Sequence, residues 1–397
     1  MRISTSTMHQ QAVDTMLLAQ SRLAKTQNQL ATGKRVKTPA DDPAGTVHII
    51  ALQRQLSASQ QFTVNGTSAQ NRLEASEQSL ADATNVLQRV KEIALQANSG
   101  TIDAEGRSII ATEVRTRAEE LMQLANRQDA TGEYLYAGLS GATKPFASSV
   151  TGASYFGDAG TRTVQVSSSQ RVVDGHSGYE VFLKVPAGNG TFTTTAVAAN
   201  TGSGSVDTGS VVNPAAWVAD NYRIRMTAPG TYEVLDGAGA QIATGAFTAG
   251  NAIQFRGVSV VIDGAPAVGD QFRVSTAGSE DVFTTLSRLN TLLGAPSSTP
   301  AQRAQFTSSA GALLKQLDQG IDHLQSIRAE VGSRLSALDT AAGQREDQKV
   351  QWNAALSGLQ DVDYADAVSR MNQQLTGLQA AQQSYAKISQ LSLFNYL

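Results

Sequence analysis

The stretch "TPADDPAGT", residues 38 to 46, sets two adjacent carboxylates, Asp41 and Asp42, between Pro39 and Pro43. Such a pair can do acid/base chemistry, hold a cation or begin a helix, and its flanks decide. Asp42 suits an N-cap, because its side chain can accept an N–H that the first helical turn leaves unbonded. Pro43 suits the first helical position, where a missing N–H costs nothing. Pro39 keeps the residues before it extended. No partner group stands nearby to aim a carboxylate at a substrate. The stretch is therefore expected to be a hinge between two helices, made by Gly33, Pro39, Asp41, Asp42 and Pro43.

Upstream of the hinge, Met16, Leu23 and Leu30 recur every seven residues, with Val13 three before Met16. That spacing predicts a coiled-coil-like seam. Gly33 is placed to close the helix, and Lys34, Arg35 and Lys37 put positive charge beside its C-terminal dipole. Downstream, Leu73, Leu80, Leu87 and Ala94 keep the same period as far as "NSGT", residues 98 to 101. A further helix is predicted over about 103 to 130, with Ile110, Val114, Leu121 and Leu124 on one stripe.

Beyond "GEYLYAGLSGATKPF", residues 132 to 146, the texture changes to Gly, Ser, Thr and short alternating apolar runs. Tyr222, Ile224 and Met226 alternate with arginines. Tyr232 and Val234, then Val258, Val260 and Ile262, then Phe272 and Val274 repeat the pattern between turn residues, which predicts successive strands. "NTGSGSVDTGS", residues 200 to 210, is expected to be an exposed loop. Helix returns from residue 281, broken near "GAPSSTPAQ". Leu314, Ile321 and Leu335 then share one heptad position, with Arg328 the exception, and Leu317, Leu324, Val331 and Leu338 fill the other. Trp352, Leu356 and Leu359 continue the line, and Val368, Met371, Leu375, Leu378 and Tyr385 mark a last helix.

A narrow apolar stripe on a long helix buries little alone, so helices from the two ends are expected to pack on each other, with the strands inserted between them. The fold class is thus α+β multidomain: long N- and C-terminal helices forming a coiled-coil-like helical rod, with an inserted all-β domain. The expected division is residues 1–42 with 366–397 as terminal assembly segments, 43–146 with 277–365 as a helical domain, and 147–276 as the β domain. The terminal segments have too little mass for a core of their own and are expected to order against other chains, which points to assembly. The expected interface is Met16, Leu23, Leu30, Val368, Met371, Leu375, Leu378, Tyr385, Leu391 and Phe394.

The chemistry that composition removes is equally informative. With 31 basic against 34 acidic residues among 397, the chain has no field to gather nucleic acid or an acidic membrane. It has no cysteine, so disulfides, thiolate nucleophiles and sulfur-ligated metal are all absent. No apolar run approaches the roughly 18 residues of a membrane span, and the first twenty residues lack the apolar core of a secretory signal. The four histidines, His9, His48, His176 and His323, are scattered without a second ligand at metal spacing. His176 is expected in a turn and His323 in solvent. Asp361, Asp363 and Asp366 in "DVDYADAVSRMNQQ" fail as a calcium loop, because its sixth position is Asp366 rather than Gly and its twelfth Asn372 rather than Glu. They suit an N-cap with an acidic first turn. No G-x-S-x-G elbow and no Gly-Lys-Ser/Thr phosphate loop occurs, and "NGT" at 65 to 67 falls inside a helical region. No enzyme, cofactor or metal is expected.

"GKRVKTPADDPAG", residues 33 to 45, resembles the helix-to-helix junction of the flagellin and hook-associated protein superfamily, and residues 361 to 397 resemble its C-terminal signature. "ANRQDATGEYLYAGLSGATKPF", residues 125 to 146, and the ending "SLFNYL" are similar to the hook-filament junction members, whereas a filament flagellin typically lacks the "YLYAG…PF" element. The resemblance covers residues 1 to about 146 and 281 to 397. It implies a structural adaptor of the bacterial flagellum between hook side and filament. Its partners would be the other hook-associated junction protein, flagellin, copies of itself in a ring, and a cytosolic export chaperone on the C-terminal helix. It also implies export through the flagellar type III apparatus to an extracellular location. The alternatives are a flagellin proper and a surface adhesin acting through the β domain.

Overall fold

The computed structural model describes residues 5–98 and 102–390. Among the described residues six α-helices carry the chain's two ends: α1 (Thr5–Thr32), α2 (Pro43–Ala97), α3 (Ala104–Ala125), α4 (Val282–Leu293), α5 (Pro300–Gln360) and α6 (Tyr364–Gln390). Two compact units result, residues 1–64 with 341–397 and residues 65–340, and both α2 and α5 contribute to each.

The starts of these helices are written in their caps. Asp103 and Asp281 accept the N–H of Gly106 and Thr284, respectively. Thr299 accepts the N–H of Gln302 at 3.1 Å while Gln302 Oε1 accepts from Thr299 at 3.1 Å, a reciprocal capping box just before Pro300. The helix expected to reach about residue 130 ends earlier, at Ala125. There Asn126 turns its side chain to the backbone of Phe146, accepting its N–H at 2.9 Å and donating to its carbonyl at 3.1 Å, which draws the chain out of the helical path.

In the larger unit the heptad leucines are the core. Leu73, Leu80 and Leu87 of α2 are fully buried, as are Val114 and Leu121 of α3. Along α5, Leu317, Leu324, Val331 and Leu338 are the central line, whereas Leu314 and Leu335 of the other register are half-buried. Arg328, the break in that register, is explained: it reaches Glu77 of α2 at 2.7 Å, and Lys91 pairs with Asp318 at 2.6 Å.

Fifteen short strands follow α3. They begin with β1 (Phe146–Ser149), β2 (Gly152–Tyr155), β3 (Thr163–Gln165), β4 (Arg171–Val173), β5 (Val185–Pro186) and β6 (Phe192–Ala196). Next come β7 (Ser205–Val206), β8 (Ser210–Val211), β9 (Asn221–Ala228), β10 (Thr231–Leu235) and β11 (Gln241–Ala246). The series closes with β12 (Ala252–Phe255), β13 (Val258–Asp263), β14 (Gln271–Thr276) and β15 (Ser279–Glu280). One sheet has the order β11-β10-β9-β14-β6, and another has β12-β13-β7 with β8 also on β13. Alternating residues of both sheets, among them Phe192, Tyr222, Ile224, Val260, Ile262 and Phe272, form one apolar core. Residues 200 to 210 are not the plain exposed loop expected, since β7 and β8 lie there and Val206 is buried.

A second core joins strands to helices. Tyr136, Phe146, Phe182 and Phe283 stack with ring centroids 5.2 to 5.8 Å apart. Gly178 touches this cluster, and a Cβ there would come within 2.6 Å of the Phe146 ring. Beside it, buried Arg72 of α2 pairs with Asp129 and donates to the Tyr134 carbonyl at 2.9 Å, holding the 127–135 segment against the helix. One histidine expectation is corrected. His323 is half-buried and donates from Nε2 to the Glu180 carbonyl at 2.8 Å. His176 is buried, with Nδ1 3.0 Å from the Glu180 carboxylate.

Because Leu324 sits at the centre of this packing, Leu324→Ala is expected to cost about 2–5 kcal/mol of unfolding free energy. Leu314→Ala, at a half-buried position, is expected to cost less than half as much. Urea unfolding of both variants with a fluorescence probe on Trp217 checks the ranking.

Candidate assembly interface

The smaller unit holds every hinge residue and the described part of the expected interface. α1 ends at Thr32, and Gly33 adopts φ +68°, a conformation in which a side chain is strained. The Gly33 carbonyl then accepts the N–H of Val362 at 2.9 Å, while Arg35 N–H donates to the Gln360 carbonyl at 2.7 Å. Arg35 also reaches the Leu359 carbonyl through its guanidinium at 2.7 Å. Thus the α1–α2 junction is paired, backbone to backbone, with the α5–α6 junction. Sequence reasoning missed this pairing, because its partners lie more than 300 residues apart and carry no periodic signal.

Within the junction the acids have separate tasks. Asp41 closes the turn that Pro39 opens, accepting from the Thr38 N–H at 3.0 Å and hydroxyl at 2.9 Å, and it pairs with Lys25 of α1 at 2.7 Å. Asp42 accepts the Gly45 N–H at 2.8 Å, and Pro43 is the first residue of α2. Asp363 likewise accepts the N–H of Ala365 at 2.9 Å and of Asp366 at 3.2 Å at the start of α6. Lys25, with the Thr38 groups after it, holds the Asp41 carboxyl well below the usual carboxylate range. Among the described residues no three His, Asp or Glu side chains converge as a metal site. No helix among them is long and apolar enough to cross a membrane.

α1 packs along α6, and His9 meets the Tyr385 ring edge-on at 5.7 Å. Leu23 is buried, whereas Met16, Leu30, Met371, Leu375, Leu378 and Tyr385 are half-buried. Val368 is exposed, and Leu391 and Phe394 lie outside the described residues. Much apolar surface stays uncovered: Leu17 is 58% exposed and Leu18 53%, with Met8 and Val13 on the same helix. Val47, Ile50 and Val64 on α2 add to it. A surface helix normally confines its apolar residues to one stripe. α1 carries them all round, and its neighbours in this chain cover one side.

Paired terminal helices bracketing a strand-rich insertion define a class of protein, that of the bacterial flagellins and their hook-associated relatives. The bacterial flagellin N-terminal helical region matches residues 3–140, and the bacterial flagellin C-terminal helical region matches residues 314–397. Within the class, the FlgL crystal structure from Xanthomonas campestris is 34% identical and superposes with a TM-score of 0.73 over 77% of this chain and 99% of that one. Flagellar hook-associated protein 3 of Escherichia coli is 26% identical over 394 residues, 99% of both chains. The B-type flagellin of Pseudomonas aeruginosa is 30% identical over 114 residues only, 29% of this chain and 23% of that one. The chain belongs to the flagellar hook-associated protein 3 family, a family of structural flagellar proteins.

The Asp41 carboxyl gives this junction a pH dependence of definite sign. A carboxyl whose pKa is lowered by folding adds stability above its unfolded value, about 3.9, and loses it as pH falls toward the folded value. Asp41→Asn is therefore expected to lower the unfolding temperature at pH 7, with the gap to wild type narrowing below about pH 4. Differential scanning calorimetry from pH 7 to pH 2 checks this, and a gap independent of pH would show that Asp41 is not the group responsible.

Proposed function

We propose that this chain is a structural adaptor of the bacterial flagellum, joining the hook side, through another hook-associated junction protein, to the flagellin filament. The observation that carries the proposal is the uncovered apolar surface of α1, α2 and α6 in the smaller unit. Copies of the chain, set side by side in a ring, would cover it, each leucine contributing about 2 kcal/mol when fully buried. Met16, Leu23, Leu30, Met371, Leu375, Leu378 and Tyr385 form the intrachain half of the interface. Leu17, Leu18 and Val368 face the neighbours. In this division residues 1–42 with 366–397 are the assembly segments, 43–146 with 277–365 a supporting helical domain, and 147–276 an inserted β domain.

The mechanism is packing rather than catalysis, and no cofactor takes part. The chain reaches the flagellum through the type III export apparatus, with a cytosolic chaperone covering α6 until export. Full-length similarity to hook-associated protein 3, against short similarity to flagellin, favours the junction role over that of the filament subunit.

Deleting the gene, imaging the cells by electron microscopy and assaying flagellin in the medium tests the role. Bare hooks with shed flagellin are expected. Bare hooks without flagellin in the medium would make the chain the filament subunit, and intact filaments would remove both roles. The interface has its own test: Leu17→Asp with Leu18→Asp, at two exposed positions, is expected to leave the circular dichroism spectrum of the purified chain unchanged and to abolish incorporation. Normal motility of that double variant would refute the assignment of α1.

A further inference from the structure

A hollow of about 390 Å³ opens between the last turns of α1 and the segment that follows them, lined by Lys25, Asn28, Lys34, Arg35, Lys37 and Asp41 among others. Its four cations are exposed. Lys25 is paired with Asp41 at 2.7 Å and Arg35 with Asp42 at 3.5 Å. The Lys37 ammonium reaches the Asn28 side-chain oxygen at 3.4 Å, and no carboxylate lies within ion-pair range of Lys34 or Lys37 among the described residues. Two positive charges are therefore left over in a chain whose net charge is −3, and the dipole at the end of α1 offsets about half of one. At 100° per residue Lys25 and Asn28 project from the side of α1 opposite buried Leu23, so the hollow faces away from the seam that α1 shares with α6.

In the ring proposed above, with its axis along α1, a given residue stands at the same height in every copy, and each contact joins two different surfaces. What meets the hollow is then the junction of the next copy. Three exposed carboxylates stand there in one short turn, Asp361, Asp363 and Asp366. The Gly33–Val362 and Arg35–Gln360 bonds hold this turn level with the hollow, and none of the three acids lines the hollow of its own chain. Each has one oxygen engaged. Asp361 accepts the Ser357 hydroxyl at 2.5 Å, Asp363 accepts the N–H of Ala365 and of Asp366 at 2.9 and 3.2 Å, and Asp366 pairs with Arg370 at 3.0 Å. A carboxylate can accept further bonds on its second oxygen.

We propose that the hollow receives the acidic turn of a second copy of this chain, with Lys34 and Lys37 of one copy pairing with Asp363 and Asp366 of the next. This contact rests on the ring assembly and assigns its polar register. Exposed ion pairs add little affinity, and their effect is on alignment and on the choice of partner. A slip of one helical turn along the axis, about 5.4 Å, would part the charges and leave the apolar faces of α1 and α6 free to pack out of step.

The test uses two full-length chains, one with Lys37→Cys and the other with Asp366→Cys, co-expressed in the deletion strain. A short bismaleimide is added to the isolated appendages. The chain has no cysteine of its own, so every cross-link joins two chosen positions. A dimer is expected from the co-expressed pair, at least fivefold more abundant than from either chain alone. No dimer in appendages from motile cells overturns the contact and leaves the junction role standing, because motility shows that the chain was incorporated. As much dimer from one chain alone overturns it too, since the contact would then join like to like. Intact filaments in the deletion strain without either chain would remove the ring reading itself. If a cysteine chain does not support motility, Lys37→Glu and Asp366→Lys carry the comparison. Each alone is expected to shrink the swimming halo in soft agar at least twofold and the two together in one chain to restore it; a double variant no better than the singles overturns the proposal.

Discussion

Everything in the smaller unit depends on a short backbone pairing, Gly33 with Val362 and Arg35 with Gln360. It fixes which helix follows which: α1 can lie along α6 only because the turn leaving α1 is bonded to the turn entering α6. The pairing closes a loop of more than 300 residues. Loop-closure entropy rises only with the logarithm of length, so a large insertion between the two junctions adds little to its cost. A family built this way can vary what is inserted while keeping the ends. Similarity to flagellin over a short segment and similarity to hook-associated protein 3 over the full length are what that constraint leads one to expect.

The parts legible in the sequence were those with a period. Leu73, Leu80 and Leu87, and the line from Leu317 to Leu338, repeat every seven residues and are buried; Ile224, Val260 and Phe272 alternate and face one core. Residues 200 to 210 were illegible because strands of two residues cannot show alternation, and Val206 is a lone apolar residue among glycines and serines. The early end of α3 at Ala125 was hidden for a different reason. What stops the helix is a side-chain bond from Asn126 to Phe146, a tertiary partner twenty residues away that no local propensity encodes. The same holds for His323, whose Glu180 partner is 143 residues distant.

In the junction itself the local chemistry was legible and the long-range pairing was not. A proline at the first helical position and an acid before it are local signals, and Asp42 and Pro43 carry both. Arg35, which bonds to two carbonyls at the far end of α5, looked like one more cation beside a helix terminus. The "GEYLYAG" element shows the converse. Its likeness to junction proteins was visible as a motif, and its physical cause is now plain: Tyr136 fills the aromatic cluster with Phe146 and Phe182, while Tyr134 and Leu135 offer carbonyls to Arg72.

The uneven burial of the terminal helices follows from geometry rather than from poor packing. A helix with apolar residues on one stripe can be satisfied by one neighbour. α1 has Leu23 buried toward its covered side, and Leu17 and Leu18 left in solvent. Ordering such a helix costs about 1–2 kcal/mol of backbone entropy per residue, which a seam of half-buried Met16, Leu30, Leu375 and Leu378 offsets only in part. In the assembly proposed above, the remainder would come from neighbouring copies of the chain. The first contact would bear most of the ordering cost and later ones little, so an interface of this kind would be weak between two free subunits and strong within a closed ring.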